Sequence, residues 1–185
     1  VNILVLGIGN ILFQDEGIGV HFVHYIDEKY SFESDSATLV LMDGGTLAQR
    51  LIPIIVKYDY LIVVDCIGAL DSKAGDVYFF DFENTPDEIN WQASAHEVEM
   101  LQTLNMIRMS GDLPKTKILG VIPQRVADDT TFELSCVIIT AVLSMENTLL
   151  RHLKSLDIIP LIKKPDTKII DIAQISFKRE MIHVY

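Results

Sequence analysis

The chain of 185 residues carries 15 basic and 26 acidic side chains, a net charge of -11, and no basic stripe offsets a field that repels nucleic acid. Hydrophobic residues make up 49% and charged ones 22%, the balance of one globular core in a chain too short for two ordinary domains. Cys66 and Cys136 have neither CxxC nor finger spacing, which argues against a disulfide scaffold or zinc finger and for a reducing cytoplasm.

The opening VNILVLGIGN lacks a basic lead and ends its apolar run within a few residues, so it is expected to be a first strand rather than a signal peptide or membrane span. Residues 16–30 follow with Ile18, Phe22 and Ile26 at helical steps, then a strand over 38–42, a helix over 46–57 and a strand over 61–64. Residues 75–82, GDVYFFDF, come too soon after LIVVD for a crossover helix and predict an antiparallel strand. A helix over 96–110, a strand over 117–122 and a closing helix over 131–156 complete the order. In that last helix Leu134, Ile138, Val142, Met145 and Leu149 recur on one face. Its apolar run CVIITAVLSM is too short to cross a bilayer.

Strand, helix, strand alternation predicts an α/β fold. The expected architecture is a single three-layer domain: a twisted, mostly parallel five-stranded sheet with one antiparallel strand and helices on both faces. The domain is expected over residues 1–160, with 161–185 an extension that could be an edge strand or an arm that folds on a partner.

The stretch GIGNILFQDEGIG resembles a dinucleotide loop, G-x-G-x-x-G, with Asp43 as a ribose-binding acid. Leu12 stands at the third glycine, however, and Asp15 with Glu16 would repel a diphosphate at the helix start. The same geometry welcomes a cation, although acids in a first turn also serve as ordinary helix caps. In open parallel sheets ligands collect beyond the carboxyl ends of the strands. Glu16 follows the first strand, Asp43 in DGGT the second and Asp65 the LIVVD strand, while His96 begins the next helix. Glu16, Asp65 and His96 form a two-oxygen, one-nitrogen set suited to zinc or nickel with positions left open; a helix-cap histidine is the simpler alternative for His96. His21 and His24 are expected to face solvent, because Ile18, Phe22 and Ile26 define the buried face, and His152 and His183 are read as surface residues. Cys66 could be a nucleophile with His96 as base, or a small buried cysteine.

The elements LVLGIGNILFQDEGIGV, LMDGGT, LIVVDCI, SAHEVEMLQTL and GVIPQRV, in this order, resemble the nickel-iron hydrogenase maturation endopeptidases over about residues 1–160. The resemblance implies an enzyme that removes a C-terminal peptide from the nickel-loaded hydrogenase large subunit, its protein partner. Glu16, Asp65 and His96 would grip a nickel ion that belongs to the substrate, a transient encounter without an organic cofactor. Asp43 is the candidate catalytic residue, positioning or deprotonating the attacking water in an aspartyl-type or metal-dependent reaction. The chain departs from the family at Glu99, where a small residue usually stands. It is expected to act as a cytoplasmic monomer without membrane insertion. Two other functions compete: a non-catalytic nickel-sensing chaperone module for the large subunit, and a nucleotide-binding oxidoreductase.

Overall fold

The apolar runs ILVL and LIVV become central strands because each alternate side chain finds a core on its own face of one sheet. The computed structural model describes residues 1–90, 95–124 and 131–182, and the backbone alone for 95–97 and 176–182. In chain order the elements are β1 (Asn2–Ile8), α1 (Ile18–Lys29), β2 (Tyr30–Glu33), β3 (Thr38–Gly45), α2 (Ile52–Ile55), β4 (Tyr60–Cys66), β5 (Gly68–Ala69), β6 (Val77–Asp81), β7 (Ile89–Asn90), α3 (Ala95–Ser110), β8 (Lys115–Val121), α4 (Cys136–Ser155), β9 (Ile159–Ile162) and α5 (Ile169–Ile182).

The main sheet has the order β3-β1-β4-β8-β6. Its first four strands are parallel, and β6 runs antiparallel to β8 from Val77 opposite Val121 to Asp81 opposite Lys117. Four parallel strands with one antiparallel edge and helices on the faces are the predicted architecture. On one face Ile3, Val5, Ile62 and Val64 pack with α1, α4 and α5. On the other, Leu4, Leu6, Leu61 and Val63 pack with α2 and α3. Burial on both faces is why β1 and β4 read as unbroken apolar runs.

Three local expectations change. Residues 46–57 form a 3-10 turn, Ala48–Leu51, and a single short helix with Pro53 near its start. The closing helix begins at Cys136, capped by Ser135, whose Oγ accepts the Ile138 N-H at 3.3 Å. Part of the tail is neither edge strand nor arm: α5 is a helix that sets Ile169, Ile172 and Ala173 into the core shared with α1 and α4. Strand β9, just before it, pairs antiparallel with β2 from Tyr30 opposite Ile162 to Glu33 opposite Ile159, a ribbon between distant segments that no local pattern announces. Helix α4 is long and apolar enough to cross a membrane, yet here it lies against the sheet and buries Ile138, Val142, Met145, Leu149 and Leu153.

Candidate functional site

The parallel strands deliver their carboxyl ends to one edge, and the glycines after β1 allow helix α1 to start directly upon it. A Cβ on Gly19 would lie 2.2 Å from the carbonyl oxygens of both Ile8 and Val64, and one on Gly9 would lie 2.0 Å from the Glu16 oxygen. Both are closer than any side chain tolerates, so these glycines serve backbone packing rather than a phosphate. Gln14 enters the 3-10 turn Gln14–Gly17 at φ 44°, an uncommon conformation for a residue with a side chain. Its N-H donates to the Thr131 carbonyl at 2.6 Å.

The two neighbouring acids of this turn do different work. Asp15 is fully buried and its carboxylate accepts from the Ser135 N-H and hydroxyl, both at 2.8 Å, and from the Gln124 N-H at 3.0 Å. The Asp15 carbonyl in turn accepts from the Cys66 thiol at 2.9 Å. Asp15 therefore joins the turn to α4, the segment after β8 and the end of β4, a structural role that adjacency to Glu16 does not reveal. Glu16 is half-buried. The Asp15-Cys66 bond brings its turn against the residue that follows Asp65, and Cys66 is a buried tie rather than an exposed nucleophile.

Asp65 is buried at the end of β4, opposite Gly120 of β8. By alternation it shares the face of Leu61 and Val63, the α3 side. His96 stands in the first turn of α3, but its side chain lies outside the described residues, as do His183 and the Arg125 and Val126 of GVIPQRV. Among the described residues no group of three His, Cys, Asp or Glu is gathered closely enough to hold a metal ion. Glu99, the departure from the family pattern, accepts the Gln49 N-H at 3.3 Å and so ties α3 to the 3-10 turn after DGGT.

Asp43 lies two residues before the end of β3, beside Gly7 of β1, which in turn pairs with Val64 of β4. Two strand spacings, about 10 Å of backbone, separate it from the Asp65 strand. It also lies on the opposite face, in phase with Leu39 and Leu41 on the α1 side. One carboxylate oxygen accepts the Gly45 N-H at 2.9 Å, and the other lies 3.0 Å from His24 Nε2. Burial acts to raise its carboxyl, but the bonds from His24 and Gly45 outweigh this and hold it below the usual range. A carboxylate only accepts, so His24 Nε2 carries the proton.

The solvent-facing expectation for the histidines of α1 is wrong for His21. It is 1% exposed, with neither ring nitrogen hydrogen-bonded among the described residues. The position three residues before His24 shares its helix face, and the glycines let α1 approach the sheet so closely that this flank is buried as well. Burial first, then the His24 charge, push the His21 pKa down to about 4 against the pull of Asp43. His24 itself stays about one-third exposed. His152 is not a plain surface residue either: Nε2 lies 2.9 Å from the Tyr60 hydroxyl and its ring meets Phe79 edge-on.

Comparison with known proteins agrees with this fold. Residues 20–152 match the family model described as HycI, hydrogenase maturation protease. The protein is 49% identical over 160 residues to Protein HydD of Wolinella succinogenes, covering 86% of this chain and 99% of that one. Hydrogenase 2 maturation protease of Escherichia coli is 32% identical over 125 residues, 67% of this chain and 74% of its own. The solved structure of the hydrogenase maturating endopeptidase HybD from Escherichia coli superposes with a TM-score of 0.76 at 27% identity, covering 88% of this chain and 98% of that one. The oxidoreductase reading of the glycine-rich loop is thereby set aside, and the chain belongs to the hydrogenase maturation protease family, whose members are peptidases.

Proposed function

We propose that this protein removes the C-terminal extension of the large-subunit precursor of a nickel-iron hydrogenase once nickel has been inserted. Nickel is recognised in the substrate and is not a resident cofactor. Glu16 and Asp65, with His96 from the start of α3, supply ligands to that ion. The observation that carries the reading is the meeting of the Glu16 turn with the end of β4 through the Asp15-Cys66 bond, in a chain of this family. Two hard carboxylates and one imidazole hold nickel less firmly than thiolates would, so tight coordination waits for donors from the substrate. Asp43, across β1, positions or deprotonates the water that hydrolyses the peptide bond.

Two unbridged cysteines and a core-facing α4 support a cytoplasmic, non-inserted protein, and we take it to act as a monomer. The decisive experiment incubates the purified protein with nickel-loaded and nickel-free precursor and reads the product masses. Trimming of the loaded form alone is expected, and Asp43→Asn should bind the precursor while cleaving at least about 100-fold more slowly. Binding without any mass change would instead establish a nickel-sensing chaperone.

A further inference from the structure

The Asp43 carboxylate is poorly disposed to take a proton from water. Its two oxygens already accept from Gly45 and from His24, and both bonds favour the ionised form. A general base works best when its pKa lies near the working pH, and imidazole is the side chain that ordinarily titrates there. His24 offers the complementary geometry. Its Nε2-H is spent on Asp43, which leaves Nδ1 as the lone-pair nitrogen, and the ring is about one-third exposed at the same edge. Its neighbour His21 is buried with neither ring nitrogen hydrogen-bonded among the described residues, and burial first of all lowers its pKa to about 4, so it is neutral at neutral pH.

We propose that His24 and Asp43 form a water-activating dyad in which His24 Nδ1 accepts the proton and Asp43 is the positioning residue. This rests on the peptidase reading above and changes the division of labour within it. The water oxygen bonds to the scissile carbonyl carbon while its proton passes to Nδ1 and the carbonyl π pair moves onto oxygen. Collapse of the tetrahedral species breaks the C-N bond, and the imidazolium returns the proton to the departing nitrogen. Water is the only co-reactant, and the products are one carboxylate and one amine. Asp43, holding Nε2-H, fixes the tautomer and stabilises the imidazolium in between, the relation of orienting acid to base found in hydrolytic triads.

The test uses the full chain and nickel-loaded precursor, with kcat and KM measured for the unaltered protein, for the single variants His24→Gln, His24→Ala and Asp43→Asn, and for Asp43→Asn with His24→Gln combined. Glutamine can still donate to Asp43 but cannot shuttle a proton. Both single His24 variants are expected to lose about 100-fold or more in kcat with KM within about twofold. The double variant should be no more than a few-fold slower than the slower single one, because members of one unit are not additive. His24→Gln trimming within about fivefold of the unaltered protein, while His24→Ala fails, would show that His24 only holds Asp43 and would overturn the dyad. Losses that multiply in the double variant would overturn it as well. No trimming by the unaltered protein would overturn the peptidase reading and the dyad together, an outcome distinct from the other two.

Discussion

The two ends of α1 bury polar groups under opposite conditions. At its C-terminal end the Glu146 carboxylate, reaching in from α4, accepts from the Tyr25 hydroxyl at 2.6 Å, from Lys29 Nζ at 2.8 Å and from the Tyr30 hydroxyl. Lys29 also donates to the Tyr25 oxygen at 2.6 Å. Near its N-terminal end His21 is buried with no partner at either ring nitrogen among the described residues, one turn from the His24-Asp43 pair. Glu146 acts as a joint between helices. The edge near His21 stores a cost instead, of the order of 1–3 kcal/mol for a buried unpaired polar group. Full satisfaction suits a part of the molecule that must not move, whereas an unspent polar group belongs where chemistry is done.

The largest effect should come from breaking the satisfied end. Glu146→Ala strands Lys29 and two hydroxyls in the interior, and about 3–5 kcal/mol should be lost in urea unfolding. A loss under 1 kcal/mol would mean that this cluster adds little and that the contrast is empty.

Acid unfolding separates the two ends by pH. The His21 pKa of about 4 lies below its ordinary value of 6.5, so on acidification the unfolded chain binds a proton that the folded protein refuses. Stability should therefore fall from about pH 7 towards pH 4 by roughly 3 kcal/mol at most. At Glu146 burial would raise the carboxyl, but the hydrogen bonds from Lys29 and the two tyrosines lower it. Its contribution is present above the ordinary glutamate value and is lost only as pH falls through its lower folded value. At Lys29 burial would lower the ammonium, but Glu146 and Tyr25 raise it. That contribution is intact below the ordinary lysine value and is lost as pH rises through the folded one. Urea melts at pH 7, 5.5 and 4 on the unaltered protein and His21→Leu test the assignment. The variant should lose most of the slope above pH 4, and an unchanged slope would clear His21 of it.

Asp15→Ala asks whether the cost belongs to the whole edge or to His21. The Asp15 carboxylate is fully satisfied, so its removal should destabilise by about 2 kcal/mol by orphaning the Ser135 and Gln124 N-H groups. The smallest change is expected at neutral pH for His21→Leu, which replaces a ring without a hydrogen bond among the described residues by apolar volume and should fall within about 1 kcal/mol of the unaltered protein. A loss as large as that of Glu146→Ala would show that His21 is well partnered after all.

Much of the fold was legible because burial on both faces writes itself into a strand as a run of Val, Ile and Leu. The brevity of the LIVVD to GDVYFFDF connection likewise permits only an antiparallel return. The positions of Glu16, Asp43 and Asp65 were legible for a related reason: parallel strands must finish at one edge, whatever the loops do. His21 was misplaced because its burial depends on how closely α1 approaches the sheet, a distance that Gly7 and Gly19 set across elements. The tail was misjudged because TKIIDIAQISF has no strong period of its own, and the helix it forms is selected by the surface of α1 and α4 that it covers.

Sequence by itself determined the α/β class, the strand ends that bear carboxylates and the family, since these rest on hydrophobic period and on residue types in fixed order. Tertiary structure alone decided which of two adjacent acids is structural, which of two histidines is buried and which partner Asp43 takes. Asp15 meets Ser135 across 120 residues and His24 meets Asp43 across 19. A side chain's electrostatic environment is set by neighbours in space, and no local pattern encodes them until the packing of α1 on the sheet has fixed every distance.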